Sequence, residues 1–362
     1  ILVEAHAKFN VMNAIQIGRR MEEYFPLFYE EPVSQERVAE LAEVRSRVNI
    51  PIATGERLYT KFPFAEIVEQ HAADKALPRE FWLEAGKQGF LGLEIPEEYG
   101  GVGAGDYRFN AVAAEELNKV NAALGSCWGI HADITAPYIV ELGTEEQKQR
   151  WLPGVAAGEI LLAIGMTEPS GGSDLAALKT TAVRDGDQWV INGSKTFITN
   201  GYSADLVITA VRTDPEKGAR GITLFAIPSD APGFSRGRKL DKVGQDESDT
   251  AELFFENVRL GDDHVIGELG GGFIAMMQKL PQERLGCAIS NVHHAKQILV
   301  ETLQYTKDRT VFGKPVSSFQ NTKFELAACQ AERRAGTALA EQRHDAVEGA
   351  GQRVGGRGDL LL

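Results

Sequence analysis

Four groups of residues in this 362-residue chain have the types and spacing for chemistry. Leu161–Asp174 is an apolar run that ends in Thr167-Glu168-Pro169 and passes into a Gly/Ser loop. Pro169 stops the strand, and Gly171 and Gly172 let the backbone come close enough to a phosphate for its N–H groups to donate. A generic Pro-Ser-Gly-Gly turn would look the same. Phe197-Ile198-Thr199-Asn200-Gly201 follows about 30 residues later, and then Leu280-Pro281-Gln282-Glu283-Arg284-Leu285. Pro281 suits a first helical turn there, which makes Glu283 a capping or dipole partner, or else a general base. Finally, Glu4, Glu30 and Glu56 each stand where a short strand ends. Carboxylates gathered at the ends of parallel strands make a hard oxygen site suited to Mg²⁺, or are simply strand ends without a metal.

The elements that must hold these residues change character along the chain. Residues 1–74 alternate strand and helix patterns, as in βαβ units of a parallel sheet. Residues 77–158 read as a helical domain, with Thr144-Glu145-Glu146-Gln147 a capping-box pattern. Period-2 patterning takes over in 159–265, an expected antiparallel β-domain, where Asp185-Gly186 marks a hairpin. In 266–330 Leu285, Ile289, Val292, Leu299 and Leu303 share one helical stripe, expected to pack in a partial helical bundle. Residues 331–362 hold arginine and glycine but no lysine, and read as a solvated tail that need not fold. The fold class expected is thus multidomain α+β.

A net charge of −13 argues against nucleic acid and anionic membrane as partners. Cys127, Cys287 and Cys329 are dispersed, odd in number and without metal-ligand spacing, which fits reduced thiols. No apolar run approaches a membrane span and no signal pattern opens the sequence, so a cytoplasmic protein is expected.

Taken together, the Thr-Glu-Pro loop, Phe-Ile-Thr-Asn-Gly and Leu-Pro-Gln-Glu-Arg-Leu resemble the flavin- and substrate-binding motifs of the acyl-CoA dehydrogenases, closest to the long-chain type. The resemblance spans roughly residues 77–330. It implies α,β-desaturation of an acyl-CoA thioester with FAD as hydride acceptor, since no side chain accepts a hydride from an unactivated carbon. By this resemblance Thr167 and Thr199 hydrogen-bond the flavin ring, Met166 and Ile198 adjoin them, Phe197 packs on the ring, and Ser173 serves pyrophosphate and acyl-CoA. Glu283 would be the base that takes the α-proton, with Gln282 and Arg284 at the substrate. Arg309, Phe312 and Gln320 resemble the segment that reaches the FAD of a neighbouring subunit, which implies a homo-oligomer. The family further implies an electron-transfer flavoprotein as the partner that reoxidises the flavin. Asp246 departs from the pattern, standing where many members have a basic residue. No match to the family's later helices is read in 331–362, so a family member truncated at both ends is expected.

Glu4-Ala5-His6, Tyr29-Glu30-Glu31-Pro32 and Thr54-Gly55-Glu56-Arg57 resemble, separately, metal-ligand strands of the mandelate racemase/enolase-superfamily sugar-acid dehydratases. Glu4 stands where that family usually has Asp. Two alternatives therefore accompany the dehydrogenase expectation: a Mg²⁺-dependent dehydratase using Glu4, Glu30 and Glu56, and an inactive oligomerisation protein that retains the core without FAD.

Overall fold

The computed structural model describes residues 2–4, 9–22, 28–30, 32–33, 38–49, 52–53 and 76–351. They belong to two compact units, Ile1–Gln70 and His71–Leu362. In the first unit β1 (Leu2–Glu4), α1 (Val11–Met21), β2 (Phe28–Glu30), α2 (Val38–Arg47) and β3 (Ile52–Ala53) alternate, and the strands pair in parallel in the order β1-β2-β3. Asn10 caps α1 by accepting from the Asn13 amide at 2.9 Å. Ala14, Ile15, Val33, Val44 and Val48 form a small core. Glu4 stands opposite Glu30 in the register, and Glu30 opposite Ala53. Glu56 lies outside the described residues.

The second unit begins with helices: α3 (Arg79–Lys87), α4 (Arg108–Val120), α5 (Ala122–Trp128), α6 (Ala136–Leu142) and α7 (Glu145–Ala157). The Thr144/Gln147 capping box forms as its pattern predicts. Between α5 and α6 the chain widens into a π-helical stretch, Gly129–Thr135.

Strands β4 (Leu162–Gly165), β5 (Thr181–Asp185), β6 (Gln188–Thr199), β7 (Leu206–Arg212), β8 (Ile222–Pro228), β9 (Phe234–Lys239), β10 (Thr250–Gly261) and β11 (Val265–Ile266) build one sheet. The sheet is mainly antiparallel, but β4 pairs in parallel with β7. Asp185 pairs with Gln188, so Gly186 and Asp187 form the two-residue turn, with Gly186 at φ 65°. β7 is apolar at nearly every position because both its faces are covered. Leu206, Ile208 and Ala210 meet Tyr138, Ile139 and Leu152 of the helices, whereas Val207 and Val211 pack with Phe225, Ile227 and Leu253. A fully buried strand needs this unbroken apolar run.

The last elements are α8 (Gly272–Asp308), the short pair β12 (Thr310–Val311) and β13 (Lys314–Pro315), and α9 (Gln320–Gly351). Two expectations change here. Pro281 lies inside α8 rather than in its first turn. Phe273–Lys279 already has helical composition, and an interior proline costs a hydrogen bond without ending a 37-residue helix packed on its neighbours. Likewise α9 runs on to Gly351 where a solvated tail was expected from residue 331. Alanine, glutamate and arginine dominate that stretch, and these favour helix strongly enough to absorb its glycines. The expected stripe on α8 is covered only in part: Leu285 and Ile289 are 5% exposed, whereas Leu303 is 40% exposed. Among the described residues no helix is long and apolar enough to cross a membrane.

Candidate active site

Two polar systems are built here, one between a loop and the sheet and one among the helices. The first fastens the loop after β4 to β6. Glu168 accepts from the amides of Lys179 (2.6 Å) and Thr180 (2.9 Å) and from Lys195 Nζ (2.8 Å). Lys195 Nζ also donates to the Met166 carbonyl at 3.1 Å, and the Thr196 amide donates to the Thr167 carbonyl at 2.9 Å. Burial opposes charge on Glu168, but the Lys195 ammonium and the two amides outweigh it and hold the carboxyl at about 2. Burial lowers the Lys195 pKa against the pull of Glu168. The pair is sealed: its side chains are 0% and 4% exposed. It fixes where Met166 and Thr167 lie relative to β6.

Along that edge Phe197 adopts φ 59° and leaves its ring 67% exposed. A flat apolar ring held outward by a left-handed backbone is the shape expected of a stacking surface. Thr199, two residues on, and Thr167, tied to β6 through the Thr196 amide, are half-buried, and Ser173 is exposed on the loop. A Cβ on Gly172 would approach Thr167 Cγ2 to 3.2 Å, so the loop folds back over the threonine. An open Gly-Gly-Ser loop, half-buried hydroxyls and an exposed aromatic fit a flavin with its pyrophosphate. Ile198 does not share this face. Its side chain is 3% exposed within the core of the sheet, which leaves only its main chain for a cofactor. Asn200 locks the end of β6 by donating to the carbonyls of Cys127 (2.9 Å) and Leu162 (3.3 Å).

The second system surrounds Glu283. Tyr138 of α6 donates its hydroxyl to Glu283 Oε1 at 3.1 Å. Burial raises the Glu283 pKa, the Tyr138 bond lowers it, and the charge of Asp133 raises it further. Glu283 borders a cleft of about 250 Å³ whose wall includes Trp128, Asp133, Gln245, Cys287 and His294. Gln282 is held by its Nε2, which donates to Glu94 Oε1 at 3.1 Å and to Asp133 Oδ1 at 3.4 Å. Arg284 is exposed, and its charge is a small counterweight to the burial of Glu283. Since α8 starts at Gly272, Glu283 lies well inside the helix, so a first-turn dipole or capping role falls away.

His131 on the π-helical stretch is a structural neighbour. Its Nδ1 accepts from the Leu162 amide at 3.1 Å and its Nε2 faces the Val155 carbonyl at 3.2 Å. Burial depresses it to about 4, so it stays neutral and bridges helices to sheet.

Arg309, Phe312 and Gln320 do not join this site within one chain. They are exposed around β12, with Phe312 93% exposed. At the rise of a helix, Arg309 lies about 39 Å along α8 from Glu283.

Sequence reasoning missed Glu94, Asp133, Tyr138 and Lys195. Of these Lys195 carried a signal, since it occupies an inward position of a strand. Close packing matters as well. A Cβ on Gly286 would sit 2.6 Å from Asp133 Oδ2 and 2.7 Å from Tyr107 Oη. Gly286→Ala should therefore cost about 1–3 kcal/mol in a urea titration, because α8 must back away from both groups.

Comparison with known proteins places these features in a family. Residues 57–159, 163–258 and 270–358 match the N-terminal, middle and C-terminal domains of acyl-CoA dehydrogenases, respectively. Both ends of the match reach beyond the span legible in the sequence, and the C-terminal one takes in the expected tail as far as residue 358. Residues 1–82 match an enolase C-terminal domain-like family. The mouse mitochondrial long-chain specific acyl-CoA dehydrogenase is 44% identical over 272 residues, 74% of this chain and 63% of that protein. The chain thus spans under two thirds of that relative's length. An acyl-CoA dehydrogenase of Bacillus subtilis is 37% identical over 265 residues, covering 73% of this chain and 69% of its own. The crystal structure of an acyl-CoA dehydrogenase from Geobacillus kaustophilus superposes with a TM-score of 0.75 at 45% identity, covering 79% of this chain and 78% of that one.

Proposed function

Because the chain belongs to the acyl-CoA dehydrogenase family, we propose that it desaturates an acyl-CoA thioester between Cα and Cβ, with Glu283 as the base. The observation that carries this reading is Glu283 itself: a half-buried carboxylate lining a cleft, raised by burial, and oriented by Tyr138. A carboxylate lifted from its usual range abstracts a weakly acidic proton better than a solvated one. When bound, FAD supplies the acceptor for the β-hydride. Thr167, Thr199 and the Phe197 ring would hold it, Met166 would lie beside it, and Gly171, Gly172 and Ser173 would receive its pyrophosphate. Glu283 takes the α-proton, and Tyr138 keeps its carboxylate turned toward the cleft. Trp128, 1% exposed, gives the cleft a buried apolar wall.

The reading extends to assembly. The exposed part of the α8 stripe and the exposed Phe312 are surfaces that a second copy would cover. Arg309, Phe312 and Gln320 would then serve a cofactor held by that copy. An electron-transfer flavoprotein would reoxidise the flavin. Incubating the protein with FAD, an acyl-CoA and an artificial electron acceptor tests the reaction. The product should be lighter by two hydrogens and carry a trans double bond at Cα–Cβ; unchanged acyl-CoA would refute it.

A further inference from the structure

Next to Glu283 stands a pair of carboxyls that the desaturation does not use, one of them, Asp133, in the cleft wall. Glu94 precedes the Glu97–Tyr99 turn, and Asp133 stands on the π-helical stretch. Two amides tie them together. Asn110 Nδ2 of α4 donates to Glu94 Oε1 at 2.8 Å and to Asp133 Oδ1 at 3.0 Å. Gln282 Nε2 of α8 reaches the same two oxygens at 3.1 and 3.4 Å. The hydrogens of an amide diverge, so the two carboxylate oxygens sit only about 5 Å apart at ordinary bond lengths. Asp133 is 6% exposed and Asn110 1%.

Two full negative charges at that spacing, out of water, repel strongly. The surroundings do not neutralise both. Tyr107 donates its hydroxyl to Asp133 Oδ2 at 3.0 Å. Lys279 of α8 acts on Glu94 from a distance, since its ammonium is bound to Glu141 of α6, whose own charge opposes it. Tyr138 and Arg284 act on Glu283 instead. Asn110 Oδ1 is buried without a hydrogen-bond partner.

We propose that Glu94 and Asp133 are positioning residues that hold one proton and one negative charge between them, anchoring Gln282 and setting the charge felt by Glu283. The link to Glu283 rests on its reading as the base; the proton-holding pair does not. Burial raises both carboxyls: Glu94 to about 7, with the charge of Asp133 adding to it, and Asp133 against the bonds from Asn110, Tyr107 and Gln282. A carboxyl raised in the folded state binds a proton that the unfolded chain has released. Stability therefore falls as pH rises from the unfolded value toward about 7, and the loss is complete above it.

Thermal melting of the whole chain between pH 6 and 8 reads this directly. The wild-type midpoint should fall by about 3 °C across that range. Glu94→Gln, a neutral mimic of the protonated acid, should remove most of the fall. Asp249, pushed up to about 6 by burial, is common to both proteins and sets the remaining slope. If Glu94→Gln keeps the wild-type fall, the proposal is overturned. Carboxyl-labelled NMR of the unmutated protein decides the same question without a variant: one carboxyl should titrate near pH 7, and none doing so would refute the pair. In the flavin-loaded protein, Asp133→Asn should move the acid limb of the bleaching rate down by about one pH unit. An unmoved limb removes the link to Glu283. Absence of bleaching in the wild type strikes the desaturation reading instead, while melting and NMR still decide on the pair.

Discussion

Glu283→Gln is expected to retain flavin and acyl-CoA while losing desaturation by about 10²–10⁴-fold, the span associated with one general base. Glutamine keeps the shape of the side chain and can still bond the Tyr138 hydroxyl, so the cleft survives. What disappears is the carboxylate that Tyr138 turns toward the cleft. The wild-type pH dependence has a definite sign. Burial raises the Glu283 pKa, and the base works only when ionised, so the rate climbs with pH through that raised pKa and levels off above it. Glu283→Gln should erase this limb together with the rate. Single-turnover mixing with acyl-CoA across pH measures both. A variant that desaturates at the wild-type rate would remove Glu283 from the chemistry.

Lys195→Met should cost about 3–5 kcal/mol of stability, the range for stripping one partner from a buried ion pair. Methionine fills much the same volume, but Glu168 is left charged and enclosed. The same step frees the Met166 carbonyl and loosens the loop that carries Thr167. Flavin retention should therefore fall alongside the urea midpoint. Lys195→Met/Glu168→Gln removes the stranded charge and should recover a large part of the loss. In the wild type, the Glu168 contribution is present above the ordinary carboxylate range and is lost as pH falls toward about 2. A single variant as stable as the wild type would show that the pair does not fasten the loop.

The parts of this architecture set by local pattern were readable in the sequence. The Asp185-Gly186 turn, the Thr144 capping box and the alternation of β1 through β3 each depend on a few adjacent residues. The Thr167 and Phe197 motifs were found because their residue types repeat a known chemistry. What escaped was set by distance in the chain. Glu94, Asn110, Asp133 and Gln282 meet across 188 residues of sequence, and nothing local marks an acid as destined for burial beside another. Pro281 misled for a related reason: proline breaks an isolated helix, whereas α8 is held by the elements packed along it. Ile198 sits in a motif whose neighbours face outward, yet strand alternation turns it into the core. Helix propensity, rather than the arginine and glycine count, decided the segment after Cys329.

The central claim is that Glu283 and a flavin held near Thr167 and Phe197 act on one acyl-CoA. The most direct measurement is the flavin absorption spectrum of the FAD-loaded protein, before and after anaerobic addition of an acyl-CoA. The oxidised band should bleach with the wild type and persist with Glu283→Gln, although both bind FAD. A wild-type protein that holds FAD and shows no bleaching with acyl-CoA would contradict the account.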